Sequence, residues 1–120
     1  MSQILCWDYK LTSSKFNESI VFCENREKVL DYLTSTSIII FKDKTLQDND
    51  NLLLLTIIKL SCPRTELVYL DGDSKSSFFK NIKEVDIDEY IANSVVRPFV
   101  IEDKIASIKE AFTMLIEKNK

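Results

Sequence analysis

The stretch Ser37-Ile38-Ile39-Ile40-Phe41-Lys42 places four large apolar residues, three of them β-branched, in unbroken succession before a charge ends the run. Side chains of a strand alternate between two sides, so an unbroken run calls for apolar surroundings on both. The segment therefore reads as a central strand of a parallel sheet. Ile4–Trp7, Ser19–Cys23 and Leu67–Leu70 carry the same signature, and Ser94–Val96 supplies a shorter fifth run. Helical periods fill the intervals. Glu27–Leu33 sets Val29, Leu30 and Leu33 on one side, and Asn51–Leu60 repeats Leu54, Ile57 and Ile58 before Pro63 stops it. Ser76–Asn93 predicts a helix through Phe78, Phe79 and Ile82, then a short turn around Ile87–Ile91. Because Phe78 and Phe79 are neighbours, only one of them is expected to face the core. The last segment aligns Ile101, Ile105, Ile108, Phe112 and Leu115 or Ile116 in one stripe and is expected to close the fold.

Strands alternating with helices imply right-handed crossovers and an α/β fold, a doubly wound five-stranded parallel sheet of order 2-1-3-4-5, flavodoxin-like. The first connection is the exception. Tyr9 to Glu18 spans about ten residues, where a parallel crossover usually takes a dozen or more. Leu11-Thr12-Ser13-Ser14-Lys15 also lacks an amphipathic period, so the first helix is expected to be a single turn or missing.

A chain of 120 residues suffices for one core and is short for two, so residues 1–120 are read as one domain. The absence of histidine removes the usual general base, the usual metal ligand and any Ser/His or Cys/His nucleophile pair together. Three widely spaced cysteines offer neither a disulfide framework nor zinc ligand pairs, and they suit a reducing, cytoplasmic compartment. Cys6 and Cys23 fall in buried strands, while Cys62 is placed at the surface. No apolar run approaches the roughly 20 residues of a membrane span, and no secretory leader is visible. A net charge of -3 lacks the basic footprint that phosphate contact needs, so DNA could be reached only through a further C-terminal domain.

In their order and spacing these segments resemble a response-regulator receiver domain. The residues that carry the resemblance are Ile4-Leu5-Cys6-Trp7-Asp8-Tyr9, Ile20 to Leu33, Ser37 to Lys42, Leu54 to Leu70, and Arg97-Pro98-Phe99 before the last helix. Arg97-Pro98-Phe99 resembles the Lys-Pro-Phe corner after the family's fifth strand. The resemblance implies a site in which two acidic groups and an acceptor aspartate hold Mg²⁺, with a lysine over the phosphoryl group and a hydroxyl beside it. A metal and a cation are needed there to neutralise a phosphoryl group on a carboxylate.

Carried over one position at a time, the site is changed. Asp8 keeps the first acidic position and Tyr9 stands at the second. Lys42 stands at the acceptor position, Asp71 at the hydroxyl position, Ser94 at the switching aromatic and Arg97 at the lysine. An ammonium cannot accept the phosphoryl group in that chemistry, and it repels Mg²⁺ at close range. Asp8, Asp71, Lys42 and Arg97 are therefore expected to form an internally neutral pocket with no metal, no cofactor and no catalytic residue. A shift of one residue would put Asp43 at the acceptor position, but the run Ile38–Phe41 sets the register against it. Asp71-Gly72-Asp73 is a polar turn, far short of a calcium loop.

The expected function, as the resemblance implies it, is that of a phosphorylation-independent, atypical receiver domain that dimerises or binds a protein partner in transcriptional regulation, as the N-terminal part of a longer regulator. The partner surface implied by the resemblance includes Tyr90, Ser94, Arg97, Glu102, Lys104 and Lys109. A second surface would be left open by the missing first helix. The alternatives are a stand-alone adaptor that docks on a signalling protein and an active phosphoacceptor at Asp43. No membrane partner is expected.

Overall fold

The computed structural model describes residues 3–72, 78–94 and 102–118. Among them, Gln3–Trp7 (β1), Ile20–Cys23 (β2), Thr36–Phe41 (β3), Glu66–Leu70 (β4) and Lys80–Ile82 (β5) form one sheet. All neighbouring pairs are parallel and the order is β2-β1-β3-β4-β5. The chain is thus an α/β protein of flavodoxin-like topology. Every residue of β3 is buried, as its unbroken apolar run requires.

Register sorts the side chains into two cores. Leu5, Trp7, Ile39, Phe41, Leu67 and Tyr69 face one side, and Ile4, Cys6, Ile38, Ile40, Val68 and Leu70 face the other. Arg26–Tyr32 (α1), Asn49–Ser61 (α3) and Glu102–Lys118 (α5) cover the first side. A single turn, Asp43–Leu46 (α2), leads into α3. Moving from β2 to β3 and from β3 to β4 advances in one direction across the sheet, so right-handed crossovers put α1 and α3 on the same side. The step from β1 to β2 runs the opposite way and falls on the second side. It contains only the 3₁₀ turn Asn17–Ser19, in agreement with the missing first helix. Among the described residues, the second side is covered instead by Leu11 of that connection and by Ile87 and Ile91 of Ile87–Asn93 (α4).

Two expectations need correction. Residues 80–82 are a strand, not part of a helix through Phe78, Phe79 and Ile82, and they form the fifth strand in place of Ser94–Val96. Lys80 and Asn81 are exposed because β5 is an edge strand, where polar side chains are tolerated and the apolar signature fades. Ser94 ends α4, and Val95 and Val96 lie outside the described residues. Cys62 is buried, not exposed, since the chain turns at the end of α3 and tucks the thiol into the first core. Burial raises its pKa.

Of the two adjacent phenylalanines, Phe79 is buried against Phe41 and Phe78 is partly exposed. Gly72 is a close approach: a Cβ there would lie 2.6 Å from the Tyr69 ring and from Asn81 Oδ1. No helix among the described residues is long and apolar enough to cross a membrane.

Candidate functional site

In an open parallel sheet, ligands bind beyond the carboxyl ends of the strands, where the strand order reverses. Here that place lies beyond β1 and β3. The residues leaving the strands are Asp8 and Tyr9 after β1, Lys42 after β3, Asp71 after β4, and Lys83 and Glu84 after β5.

Asp8 and Asp71 share a backbone device. Both adopt left-handed conformations, with φ of 58° and 51°, which aspartate tolerates better than most residues. Each amide bonds to the outer neighbouring strand, Asp8 N–H to Cys23 O at 2.7 Å and Asp71 N–H to Ile82 O at 2.9 Å. These bends end the two strands and turn their carboxylates onto the rim.

Lys42 leaves β3 in extended conformation as the residue before α2. Its ammonium lies 3.1 Å from Glu84 Oε1, 3.9 Å from Asp71 Oδ2 and 4.1 Å from the centroid of the Tyr9 ring. The Tyr9 hydroxyl donates to the same Glu84 carboxylate. Asp71 Oδ1 accepts the Glu84 amide at 3.0 Å, anchoring the turn that carries that carboxylate.

Each ionisable partner responds. The Tyr9 hydroxyl and then the Lys42 ammonium lower the pKa of Glu84. Desolvation alone would lower that of Lys42, but hydrogen bonds with Glu84 and Tyr9 outweigh it and leave the value raised. Desolvation and then Glu84 raise that of Tyr9.

The expected four-charge pocket is therefore only partly assembled. Lys42 and Asp71 come together, but the nearest counter-ion of Lys42 is Glu84, which sequence reasoning missed. Asp8 pairs instead with Lys44 of α2, Nζ to Oδ1 at 3.7 Å. Arg97 lies outside the described residues. Asp43, the alternative acceptor, is exposed at the start of α2, and its Oδ1 accepts the Tyr69 hydroxyl at 2.6 Å. With Lys42 at the acceptor position and Asp8 tied to Lys44, the residues present do not fit the divalent cation that the resemblance would require. Among the described residues, no group of three or more His, Cys, Asp or Glu side chains gathers as a metal ion needs.

Beside this rim a polar relay seals the end of β1. The Thr45 hydroxyl donates to Trp7 O at 2.9 Å, Asn51 Nδ2 to Thr45 O at 3.0 Å, and Arg26 Nη1 to Asn51 Oδ1 at 2.9 Å. Arg26 also meets Asp48 Oδ2 at 3.0 Å, while Asp48 Oδ1 caps α3 by accepting the Asp50 amide at 2.9 Å. That backbone bond, and then Arg26, lower the pKa of Asp48. Asp8, Arg26, Lys44, Asp48 and Asn51 line a shallow cleft of about 560 Å³. Asp48 before α3 and Asn25 before α1 are recognisable in the sequence as cap residues; the convergence of Asp48 and Asn51 on Arg26 is not.

The expected partner surface is not one patch. Tyr90 and Ser94 belong to the second side, where the Tyr90 hydroxyl donates to Glu66 Oε2 at 2.9 Å and Ser94 Oγ to Tyr90 O at 2.7 Å. Burial and then Glu66 raise the pKa of Tyr90. Lys104 and Lys109 are exposed on α5, which covers the first side, and Lys109 pairs with Asp31 of α1 at 3.9 Å. The sheet separates the two sets because α5 packs over α3 rather than beside β5. The Glu102 side chain, like Arg97, is outside the described residues.

In comparisons with known proteins, no family model, no curated protein and no solved structure matches the chain.

Proposed function

We propose that the chain is a protein-binding module of receiver-like architecture that works without phosphorylation. The observation that carries this reading is the Lys42 ammonium, held at the end of the central strand by Glu84 and Asp71. A cation that already has its counter-ions at this position replaces the acceptor chemistry and opposes Mg²⁺. The Arg97-Pro98-Phe99 corner adds no support, since the strand it was expected to follow is Lys80–Ile82. Within this reading the domain acts in the cytoplasm by self-association or by docking on a regulatory protein, and contact with DNA belongs to another domain.

The test is incubation of the whole chain with acetyl phosphate and Mg²⁺, followed by intact mass. An unchanged mass is expected. A phosphoryl adduct mapped to Asp43 would overturn the reading and restore the active-acceptor alternative. Light scattering over the micromolar range then separates the two modes of binding: a dimer supports self-association, and a strict monomer leaves the adaptor.

A further inference from the structure

We infer that residues 9–16 and residues 84–93 form a two-piece cover that leaves the second side of the sheet as one unit. This inference does not depend on the receiver reading. Among the described residues, the missing first helix leaves that side to a loop and a two-turn helix. The loop contributes the buried Leu11 and the half-buried Tyr9 and Phe16, and α4 contributes Ile87 and Ile91. Neither piece is strongly built alone. α4 has no side-chain cap at its start, and Val85 in the turn before it is 87% exposed. Segments with few buried apolar contacts open at free energies well below the global one.

Both pieces pack on the same apolar cluster, and polar bonds run directly from one to the other. The Tyr9 hydroxyl donates to Glu84, and the Ser14 hydroxyl donates to Asp88. The Lys15 amide donates to Asp88 Oδ2 at 3.1 Å. Two carboxylates of the second piece are thus clasped by two hydroxyls and an amide of the first. Losing either piece leaves the clasping groups of the other without these partners, so opening is coupled. To the remainder of the protein the second piece is tied by Lys42 to Glu84, by Asp71 to the Glu84 amide, and by the Tyr90 hydroxyl to Glu66. Release of the unit uncovers an apolar strip of Ile4, Ile38, Ile40, Val68 and Leu70.

The Lys15 amide is a built-in reporter, because its acceptor belongs to the opposite piece. Amide hydrogen exchange of the whole wild-type chain at neutral pH, read by NMR, should give Lys15 and Ile91 protection factors equal within about threefold, both well below those of β1 and β3. The E84Q/D88N variant should exchange about tenfold faster at both positions, with β1, β3 and α3 unchanged. Tyr9→Phe, which removes only a hydroxyl, should produce the same paired pattern at smaller size. An unprotected Lys15 beside a protected Ile91 overturns the proposal, as does a shared protection factor that equals that of the central strands.

Discussion

The two sides of the sheet are built from the same five strands and closed in different ways. On the first, three helices and the 3₁₀ turn Leu33–Ser35 after α1 bring Val29, Leu30, Leu33, Leu54, Leu55, Ile58, Ile105 and Ile108 against the strands. On the second, the closure rests on Leu11, Ile87 and Ile91, supplemented by the bonds of Glu84 and Asp88. Apolar burial is non-directional and indifferent to proton activity, whereas a hydrogen bond to a carboxylate depends on both geometry and charge. The first side is therefore held mainly by area, and the second by a smaller helical cover together with ionised groups.

The largest effect that tests this difference is expected at Phe41, fully buried on the first side and in ring contact with Tyr69 and Phe79. Phe41→Ala should cost about 3–5 kcal/mol in urea or guanidinium unfolding, or prevent folding altogether. Ile91→Ala, on the second side, should cost about 2 kcal/mol by the same measurement, the low end for such truncations, because a two-turn helix can settle into the space. Equal costs at the two positions would abolish the contrast.

The smallest effect is the acid response. The folded pKa of Glu84 lies below its usual 4.5, so its contribution is complete above that pH and is lost as pH falls through the folded value. Tyr9, Lys42 and Asp71 are the groups that surround it from the other elements. With its side chain 31% exposed, the contribution is at most about 1 kcal/mol. Lys42 works in the other direction: its raised pKa supplies stability below its usual 10.5 that is lost as pH rises through the folded value. Thermal melts between pH 3 and 6 should show a shallower acid dependence for Glu84→Gln than for the wild type. Superimposable curves would remove Glu84 from the account.

The inner strands were legible because burial on both sides forces an unbroken apolar run, as in Ile38-Ile39-Ile40-Phe41. The fifth strand was not. Lys80-Asn81-Ile82 sits at an edge with two exposed polar residues, while Ser94-Val95-Val96 carries the stronger β-like composition. This error propagated into the site. Asp8, Lys42 and Asp71 follow strands that are visible in the sequence and were reached through the resemblance, whereas Glu84, which follows the hidden strand, was missed. The Asp8–Lys44 pair and the relay from Thr45 to Arg26 depend on how the single turn of α2 leads into α3, and that course has no signature in local composition.

The matched bends at Asp8 and Asp71 bear on how the sheet avoids growing. Each bend lends its amide to the far end of an outer strand, so that β2 and β5 are secured with only four and three residues. A strand that short offers an approaching chain few ladder bonds to extend. The two aspartates that furnish the rim with charge thus also keep both margins of the sheet poor templates for aggregation.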